Sequence, residues 1–319
     1  MSIEVPTGSV IAIVGPTATG KSSLSLALAE RVHGEIVSCD STAVYRGFDI
    51  GTDKLPMASR RGIRHHLIDI VEPAEQYSAA RYAREATIAI KRIIERGHTP
   101  ILVGGSGLYY RALTRGLFPG PARDDDLRRR LSNSARRRGV QWLHRMVARV
   151  DPMSALRIQS TDERRLVRAL EVFFLTKRPL TDHFAETRSP LSGYFVNSFA
   201  LRLTAKEIAQ RAARRVDQQF ARGLLDEIRS LQDQGVSLEA HPFKGLVYRQ
   251  AVEYLSGVRD EATTKELIVR ENQRYARRQL IWFRKEPNLH WIDFPGEHPD
   301  ALAAVMNRLV DRYLSVKKK

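Results

Sequence analysis

The sequence predicts an α/β protein in which a parallel sheet is flanked by helices, with an all-helical insertion and a helical C-terminal region. Strand-like runs alternate with helix-like runs through the first third of the chain, and this alternation is typical of a parallel sheet with right-handed crossovers. Strand patterns vanish after Pro119-Gly120-Pro121, where an arginine-rich stretch begins. We expect three segments: the first part of the core at 1–118, a helical insertion at 119–193, and the completed core with a helical C-terminal region at 194–319.

The first strand-like run, 9–14, leads into a glycine-rich loop that is followed by a helix-like run at 22–31. The loop matches the spacing of a phosphate-binding loop (P-loop), and its position between a strand and a helix is the context that the motif requires. Its backbone N–H groups and the helix N-terminus attract phosphate, while the lysine supplies a positive charge and the serine hydroxyl a magnesium ligand. The predicted binding residues are Gly15, Pro16, Thr17, Ala18, Thr19, Gly20, Lys21 and Ser22, with Ser22 as the metal ligand.

The remaining elements are predicted from the spacing of apolar residues and from the residues that begin or end helices. Short apolar runs predict strands at 35–40, 66–70, 100–105 and 194–203. Helical spacing predicts a helix over 78–96 that ends at Gly97, and a helix that begins after Asp162 and reaches Thr176. From residue 205 onward the chain is predicted to be mostly helical, with several arginines on one face.

The charge balance indicates an anionic partner. There are 52 Lys and Arg against 36 Asp and Glu, a formal net charge of +16. Nucleic acid is the leading candidate for such a surface, and a generally basic proteome is the alternative. A single cysteine, Cys39, excludes a disulfide within the chain. We find neither an N-terminal secretory pattern nor an apolar run of membrane-spanning length, so we expect a cytoplasmic location without membrane contact.

Asp40 follows the second predicted strand, where the carboxyl ends of neighbouring strands open onto a ligand crevice. A carboxylate there could hold magnesium through water or accept a proton from a nucleophile. Capping of the next turn is an equally good explanation from spacing alone. A late stretch, 270–284, mixes arginines with aromatic residues and could contact RNA or simply form a solvated helix.

Together these residues resemble the bacterial tRNA dimethylallyltransferases, also called isopentenyl-diphosphate:tRNA transferases. The matching stretches cover nearly the whole chain in order and are 15–22, 40–47, 49–52, 66–70, 77–80, 102–109, 168–172, 275–279 and 282–284. The resemblance implies transfer of a dimethylallyl group from its diphosphate to the exocyclic amine of the adenosine just 3′ of the anticodon. It implies Mg²⁺ as cofactor and the tRNA anticodon arm as partner, with no obligate protein partner.

The same resemblance implies roles for individual residues. Asp40, Thr17 and Arg215 are the catalytic residues, with Asp40 as general base and Arg215 reaching the diphosphate. The implied tRNA contacts are Asp40, Ser41, Thr42, Ala43, Ser106, Arg128, Arg164, Arg165, Leu166, Val167 and Arg168. Two alternatives remain: an ATP-dependent kinase of small molecules or nucleotides, and a non-catalytic P-loop protein that binds nucleic acid.

Overall fold

The computed structural model describes residues 5–317. Residues 1–4, 318 and 319, which belong to the expected segments 1–118 and 194–319, lie outside the described residues. The chain divides into two compact units: Met1–Thr114 with Leu191–Lys319, and Arg115–Pro190. The helical unit thus begins and ends slightly before the expected boundaries of 119 and 193.

The described residues form a six-stranded sheet. Its strands are β1 (Ser9–Val14), β2 (Gly34–Ser38), β3 (His65–His66), β4 (Thr99–Gly104), β5 (Phe195–Leu201) and β6 (Leu289–Ile292). They are ordered β3-β2-β4-β1-β5-β6, and every neighbouring pair is parallel. The predicted α/β class with a parallel sheet is therefore confirmed. The central position of β1 brings the loop that follows it to the carboxyl edge of the sheet, between β4 and β5.

Thirteen α-helices accompany these strands within the described part of the chain. They are α1 (Lys21–Val32), α2 (Ala79–Glu95), α3 (Gly107–Thr114), α4 (Asp125–Arg138), α5 (Val140–Val150), α6 (Pro152–Arg157), α7 (Glu163–Thr176), α8 (Leu180–Phe184), α9 (Ala205–Ala221), α10 (Leu224–Asp233), α11 (Leu246–Leu255), α12 (Glu261–Phe283) and α13 (Pro299–Lys317). No helix among residues 5–317 combines the length and apolar character needed to cross a bilayer.

The sheet is covered on both faces, as its alternating side chains require. Val10, Ala12 and Val14 of β1 pack in one core with residues of α2 and α3. Ile11 and Ile13 pack in a second core with residues of α1 and α13. Because β1 is completely buried on both sides, its carboxyl end is a rigid support for the loop that follows.

Two strand predictions differ from the structure. The predicted strand 66–70 is reduced to β3, because Leu67 and Asp69 adopt positive φ angles of 61° and 57°, which are incompatible with extended backbone. β6 was not predicted, since its four residues lie in a stretch that otherwise reads as helical. It extends the sheet beyond β5 and directs residues 293–298 toward the phosphate-binding loop.

The unit Arg115–Pro190 contains α4 to α8 and no strand. α7 begins after Asp162, whose carboxylate accepts a hydrogen bond from the backbone N–H of Arg165 and so caps the helix. Leu166, Ala169 and Leu170 recur at helical spacing on α7 and lie in the core of this unit.

Candidate functional site

The P-loop motif forms a compact turn between β1 and α1. Gly20 has a φ of 84°, a conformation that glycine adopts without strain, immediately before the helix begins. The hydroxyl of Thr19 and the ammonium group of Lys21 both donate to the carbonyl oxygen of Pro16, at 2.9 Å and 2.5 Å. These bonds close the loop upon itself and hold Lys21 beside the backbone N–H groups that a phosphate would contact.

A side chain from the far end of the sequence also holds this loop. Gln279 on α12 accepts a 2.8 Å hydrogen bond from the backbone N–H of Thr17 and donates a 2.9 Å bond to the carbonyl oxygen of Gly105. Through these two bonds the buried Gln279 side chain joins the loop that follows β1 to the loop that follows β4. Sequence reasoning missed Gln279, because an amide in an arginine-rich helix carries no signal of its tertiary partner.

Arg215 on α9 lies against the same loop. Its Nη1 atom donates a 2.6 Å hydrogen bond to the hydroxyl oxygen of Thr17, and its Nε atom pairs with Asp53 Oδ2 at 2.5 Å. The three residues expected to be catalytic, Asp40, Thr17 and Arg215, all line one cavity of about 660 Å³.

Asp40 follows β2, on the strand that neighbours β4 in the sheet. Its Oδ1 atom accepts hydrogen bonds from the backbone N–H and the hydroxyl of Thr42, at 2.8 Å and 2.7 Å, and a longer one from the N–H of Ala43. Asp40 thus caps the following turn and also lines the cavity. Capping of the next turn is therefore confirmed, and the role of this carboxylate toward a ligand in the cavity stays a prediction.

The other residues expected near Asp40 are brought together by the loops after β2 and β4. Ser106 Oγ accepts a 2.9 Å hydrogen bond from the backbone N–H of Ser41 and lies 3.2 Å from Ser41 Oγ. Ala43 is 7% exposed and packs into the protein, so its methyl group presents little surface to a macromolecular ligand.

A second cavity, of about 520 Å³, adjoins the first. Asp40, Thr17 and Arg215 line both cavities, and so does Tyr275. The second cavity is rich in positively charged side chains contributed by Lys244, Arg249, Arg274 and Arg278. Arg274 and Arg278 belong to the arginine-aromatic stretch 270–284. The packing of α12 decides which arginines of that stretch reach the cavity.

Burial and neighbouring charges alter the acid–base behaviour of the site. Burial, together with the nearby charge of Arg215, lowers the pKa of Lys21 to about 7. Burial also raises the pKa of Asp53, although Arg215 opposes that effect. An anion bound at the loop would favour the charged form of Lys21 and restore a higher pKa.

The oxygen atoms that line this cavity fit a Mg²⁺ ion that would take one or two ligands from the protein and the others from water and phosphate. The exposed Ser22 and the carboxylate of Asp40 line the same cavity and supply hard oxygen atoms. Within residues 5–317 no group of three or more His, Cys, Asp or Glu side chains forms an all-protein metal site.

In the helical unit, Arg128 and Arg168 converge on the buried carboxylate of Glu171. Arg128 donates through Nε and Nη2 at 2.8 Å and 2.9 Å, and Arg168 through Nη1 at 2.6 Å. Burial raises the pKa of Glu171, but hydrogen bonds from both arginines outweigh it and lower the pKa to about 2. Each arginine side chain remains nearly 30% exposed.

The other residues of the expected tRNA-contacting stretch 164–168 are of two kinds, exposed and buried. Arg164 and Arg165 are exposed at the start of α7. Leu166 and Val167 are 0% and 6% exposed and belong to the core of the helical unit. The same helical period that exposes Arg164 turns these two side chains inward, so the arginines present the exposed surface of the stretch, and its contact with RNA stays a prediction.

The chain is similar to known proteins over most of its length. A family model described as IPP transferase matches residues 43–286. Proteins named tRNA dimethylallyltransferase are 45% identical in Solibacter usitatus, with 94% of this chain and 97% of the relative covered, and 41% identical in Geobacter metallireducens, with 93% and 96% covered.

Solved structures share the fold. The tRNA isopentenylpyrophosphate transferase of Bacillus halodurans is 36% identical, with a TM-score of 0.70 and 98% and 97% of the two chains covered. A eukaryotic dimethylallyltransferase described as acting on tRNA is 26% identical, with a TM-score of 0.74 and 89% of this chain and 73% of that chain covered. With the family model spanning most of the sequence and relatives aligned almost end to end, this chain belongs to the IPP transferase family.

Proposed function

We propose that this protein is a tRNA dimethylallyltransferase. It transfers a dimethylallyl group from dimethylallyl diphosphate to the exocyclic amine of the adenosine just 3′ of the anticodon, and it releases diphosphate. The observation that carries the proposal is the position of Asp40, which lines both the cavity containing the P-loop and the adjoining basic cavity. One carboxylate therefore borders a site for an anionic leaving group and a site for a nucleotide.

The P-loop cavity suits the diphosphate. Lys21, Arg215 and the N-terminus of α1 provide positive charge where the leaving group accumulates negative charge. The hydroxyl of Thr17, which accepts from Arg215, keeps its own proton to donate to a diphosphate oxygen. Mg²⁺ held by Ser22 and by diphosphate oxygens would neutralise further charge on the leaving group.

The basic cavity suits the target nucleotide. The adenine must leave its stack to reach Asp40, which costs about a few kcal/mol. Arg274, Arg278 and Lys244 would contact phosphates beside the extruded base, and the ring of Tyr275 would contact the base itself. Burial raises the pKa of Tyr275 to about 12, so its phenol stays neutral there.

The reaction balances at these groups. The bond between the allylic carbon and the diphosphate oxygen breaks with both electrons leaving on oxygen, and the amine nitrogen forms the new bond to that carbon. The amine then loses a proton to the free oxygen of Asp40. The amine is a poor nucleophile because its lone pair is delocalised into the ring, so a hydrogen-bonded carboxylate contributes directly to its reactivity.

The proposal is tested by incubating the protein with labelled dimethylallyl diphosphate and unmodified tRNA. Label should appear in the nucleoside next to the anticodon and should be absent from a transcript that carries guanosine at that position. Asp40→Asn should abolish most transfer while tRNA binding persists. Phosphorylation of a small acceptor by ATP would instead support a kinase, and tight tRNA binding by wild type without turnover would support a non-catalytic RNA-binding protein.

We also propose that the protein acts in the cytoplasm, where tRNA and the diphosphate substrate are both dissolved. The net charge of +16 favours association with a polyanion over a neutral partner.

A further inference from the structure

Two of the three arginines of α9, Arg211 and Arg215, lie one helical turn apart on the same face. Both reach the P-loop. The Nε atom of Arg211 donates a 2.6 Å hydrogen bond to the carbonyl oxygen of Ala18, and Arg215 donates to the hydroxyl of Thr17, also at 2.6 Å. Both side chains line the same cavity as Lys21. Arg211 therefore stands beside the P-loop in the same way as Arg215.

Each arginine is also paired with a carboxylate from a different segment. Arg211 Nη2 pairs with Glu297 Oε1, and Arg215 Nε pairs with Asp53 Oδ2 at 2.5 Å. A guanidinium group has five N–H donors, and each of these contacts uses one. One contact to the loop and one to the carboxylate leave three N–H groups of each guanidinium outside these contacts.

The segments that carry the two carboxylates have contacts of their own. Next to Glu297, the backbone N–H of Gly296 donates a 2.8 Å bond to the carbonyl oxygen of Thr19, and the two backbone segments approach so closely that a Cβ atom on Gly296 would lie 2.0 Å from Gly20 O. Asp53 Oδ2 accepts a 2.9 Å hydrogen bond from the buried Gln219. The backbone beside Glu297 and the carboxylate of Asp53 are therefore held by groups other than the arginines.

We propose that Arg211 is a second diphosphate-binding arginine, and that Glu297 and Asp53 are positioning residues that aim the arginine pair at the P-loop cavity. The identity of the ligand rests on the proposed function; the geometry of the pair does not. Glu297 and Asp53 touch no substrate atom in this scheme and act only through Arg211 and Arg215.

A carboxylate next to an arginine has two opposing effects on an anionic ligand. It orients the guanidinium, which favours binding, and its negative charge repels the ligand, which opposes binding. The amide variants separate these effects, because glutamine and asparagine keep an acceptor oxygen but lose the charge. If orientation is the role, the amide variants bind at least as well as wild type, whereas alanine variants bind more weakly.

Binding of inorganic diphosphate in the presence of Mg²⁺, measured by isothermal titration calorimetry, tests the proposal without prenyl transfer. Arg211→Ala should weaken binding about ten- to a hundredfold, the range for a lost hydrogen bond to a charged group. Glu297→Ala and Asp53→Ala should weaken it less, about three- to tenfold, while Glu297→Gln and Asp53→Asn should match or exceed wild-type affinity.

Asp293→Ala and Arg202→Ala are matched controls. This exposed ion pair lies just beyond β5 and β6, has the same kind of geometry and does not line the cavity. Neither control should alter diphosphate affinity. In steady-state assays Arg211→Ala should raise the KM for dimethylallyl diphosphate and leave the KM for tRNA unchanged.

Unchanged diphosphate affinity in Arg211→Ala would overturn the proposal, even if the enzyme transfers prenyl groups normally. Equal losses in the alanine and amide variants would overturn the positioning role, since they would show that charge and not orientation matters. Loss of diphosphate affinity in Arg211→Ala and in Glu297→Ala, with wild-type or higher affinity in Glu297→Gln, would support it, even if the acceptor proved to be something other than tRNA.

Discussion

The hydroxyl of Thr42 donates a 2.7 Å hydrogen bond to Oδ1 of Asp40, and the backbone N–H of Thr42 donates to the same oxygen at 2.8 Å. This pairing restricts rotation of the carboxylate through Oδ1. In the reaction proposed above, Asp40 is therefore oriented before any substrate arrives, and Oδ2 is the oxygen that would accept the proton.

Asp40→Asn should lower kcat by about 10²- to 10⁴-fold, the usual contribution of a positioned general base, because an amide cannot accept the amine proton. Thr42→Val should lower kcat by a smaller factor, about tenfold, since it removes one orienting bond of two. Single-turnover transfer to tRNA measures both. A Thr42→Val loss equal to that of Asp40→Asn would contradict the division of roles.

Lys21 predicts a pH dependence of diphosphate binding. Burial and Arg215 lower its pKa to about 7 in the free site, and a bound anion favours its charged form and raises that pKa. The site therefore takes up a proton on binding above pH 7, and affinity falls as pH rises, by up to about tenfold per pH unit.

Calorimetry in buffers of different ionisation enthalpy measures this proton uptake. The Lys21→Met variant is the control, because its remaining pH dependence belongs to the diphosphate itself. Identical proton uptake in wild type and Lys21→Met would exclude Lys21 as the titrating group.

Magnesium should strengthen diphosphate binding through Ser22. EDTA should weaken inorganic diphosphate binding by wild type, and Ser22→Ala should show a smaller difference between magnesium and EDTA, since one oxygen ligand is lost. Ser230→Ala, which changes an exposed serine on α10 that lines neither cavity, is the control. A magnesium effect of equal size in wild type and Ser22→Ala would argue against metal ligation at this residue.

We expect the charge of Glu171 to stabilise the helical unit. Removing one partner of a buried ion-pair network leaves uncompensated charge, so Glu171→Gln should lower the free energy of unfolding by about 3 kcal/mol. Glu186→Gln breaks an exposed pair with Arg178 and should cost less than about 1 kcal/mol. Urea unfolding followed by circular dichroism measures both.

The sign of the pH dependence follows from the direction of the shift. The pKa of Glu171 falls from 4.5 to about 2 on folding, so its contribution to stability is present above pH 4.5 and is lost as pH falls toward 2. Glu171→Gln should lack this acid-sensitive part of the stability. A parallel acid profile in both proteins would refute the assignment.

We expect Arg274 and Arg278 to contribute to the salt dependence of tRNA binding. If each contacts a phosphate from the basic cavity, the double alanine variant should bind tRNA more weakly, and its slope of log affinity against log salt should fall by about one per arginine. Arg229→Ala, an exposed arginine paired with Asp226 outside this cavity, should leave the slope unchanged. Unaltered slopes in all three proteins would remove these arginines from the interface.

Much of the fold was predictable because its signals are local. The first strand, the P-loop and the capped start of α7 each depend on residues within a few positions of one another, as when Lys21 and Thr19 both bond to Pro16. The prediction of a strand at 66–70 was wrong because two residues there have positive φ angles, which the spacing of apolar residues does not encode. The resemblance places Leu166 and Val167 in an RNA-contacting stretch, whereas the packing of α7 turns both side chains into the core of the helical unit.

The sequence by itself determined that an α/β core carries a phosphate-binding loop, since a P-loop is complete within eight consecutive residues. Tertiary structure alone decided which distant groups surround that loop: Gln279 meets Thr17 across 262 residues, Arg215 meets Thr17 across 198, and Arg211 meets Glu297 across 86. The physical reason is that a loop's backbone geometry depends on its own torsions, whereas the meeting of distant side chains depends on how every intervening helix and strand packs.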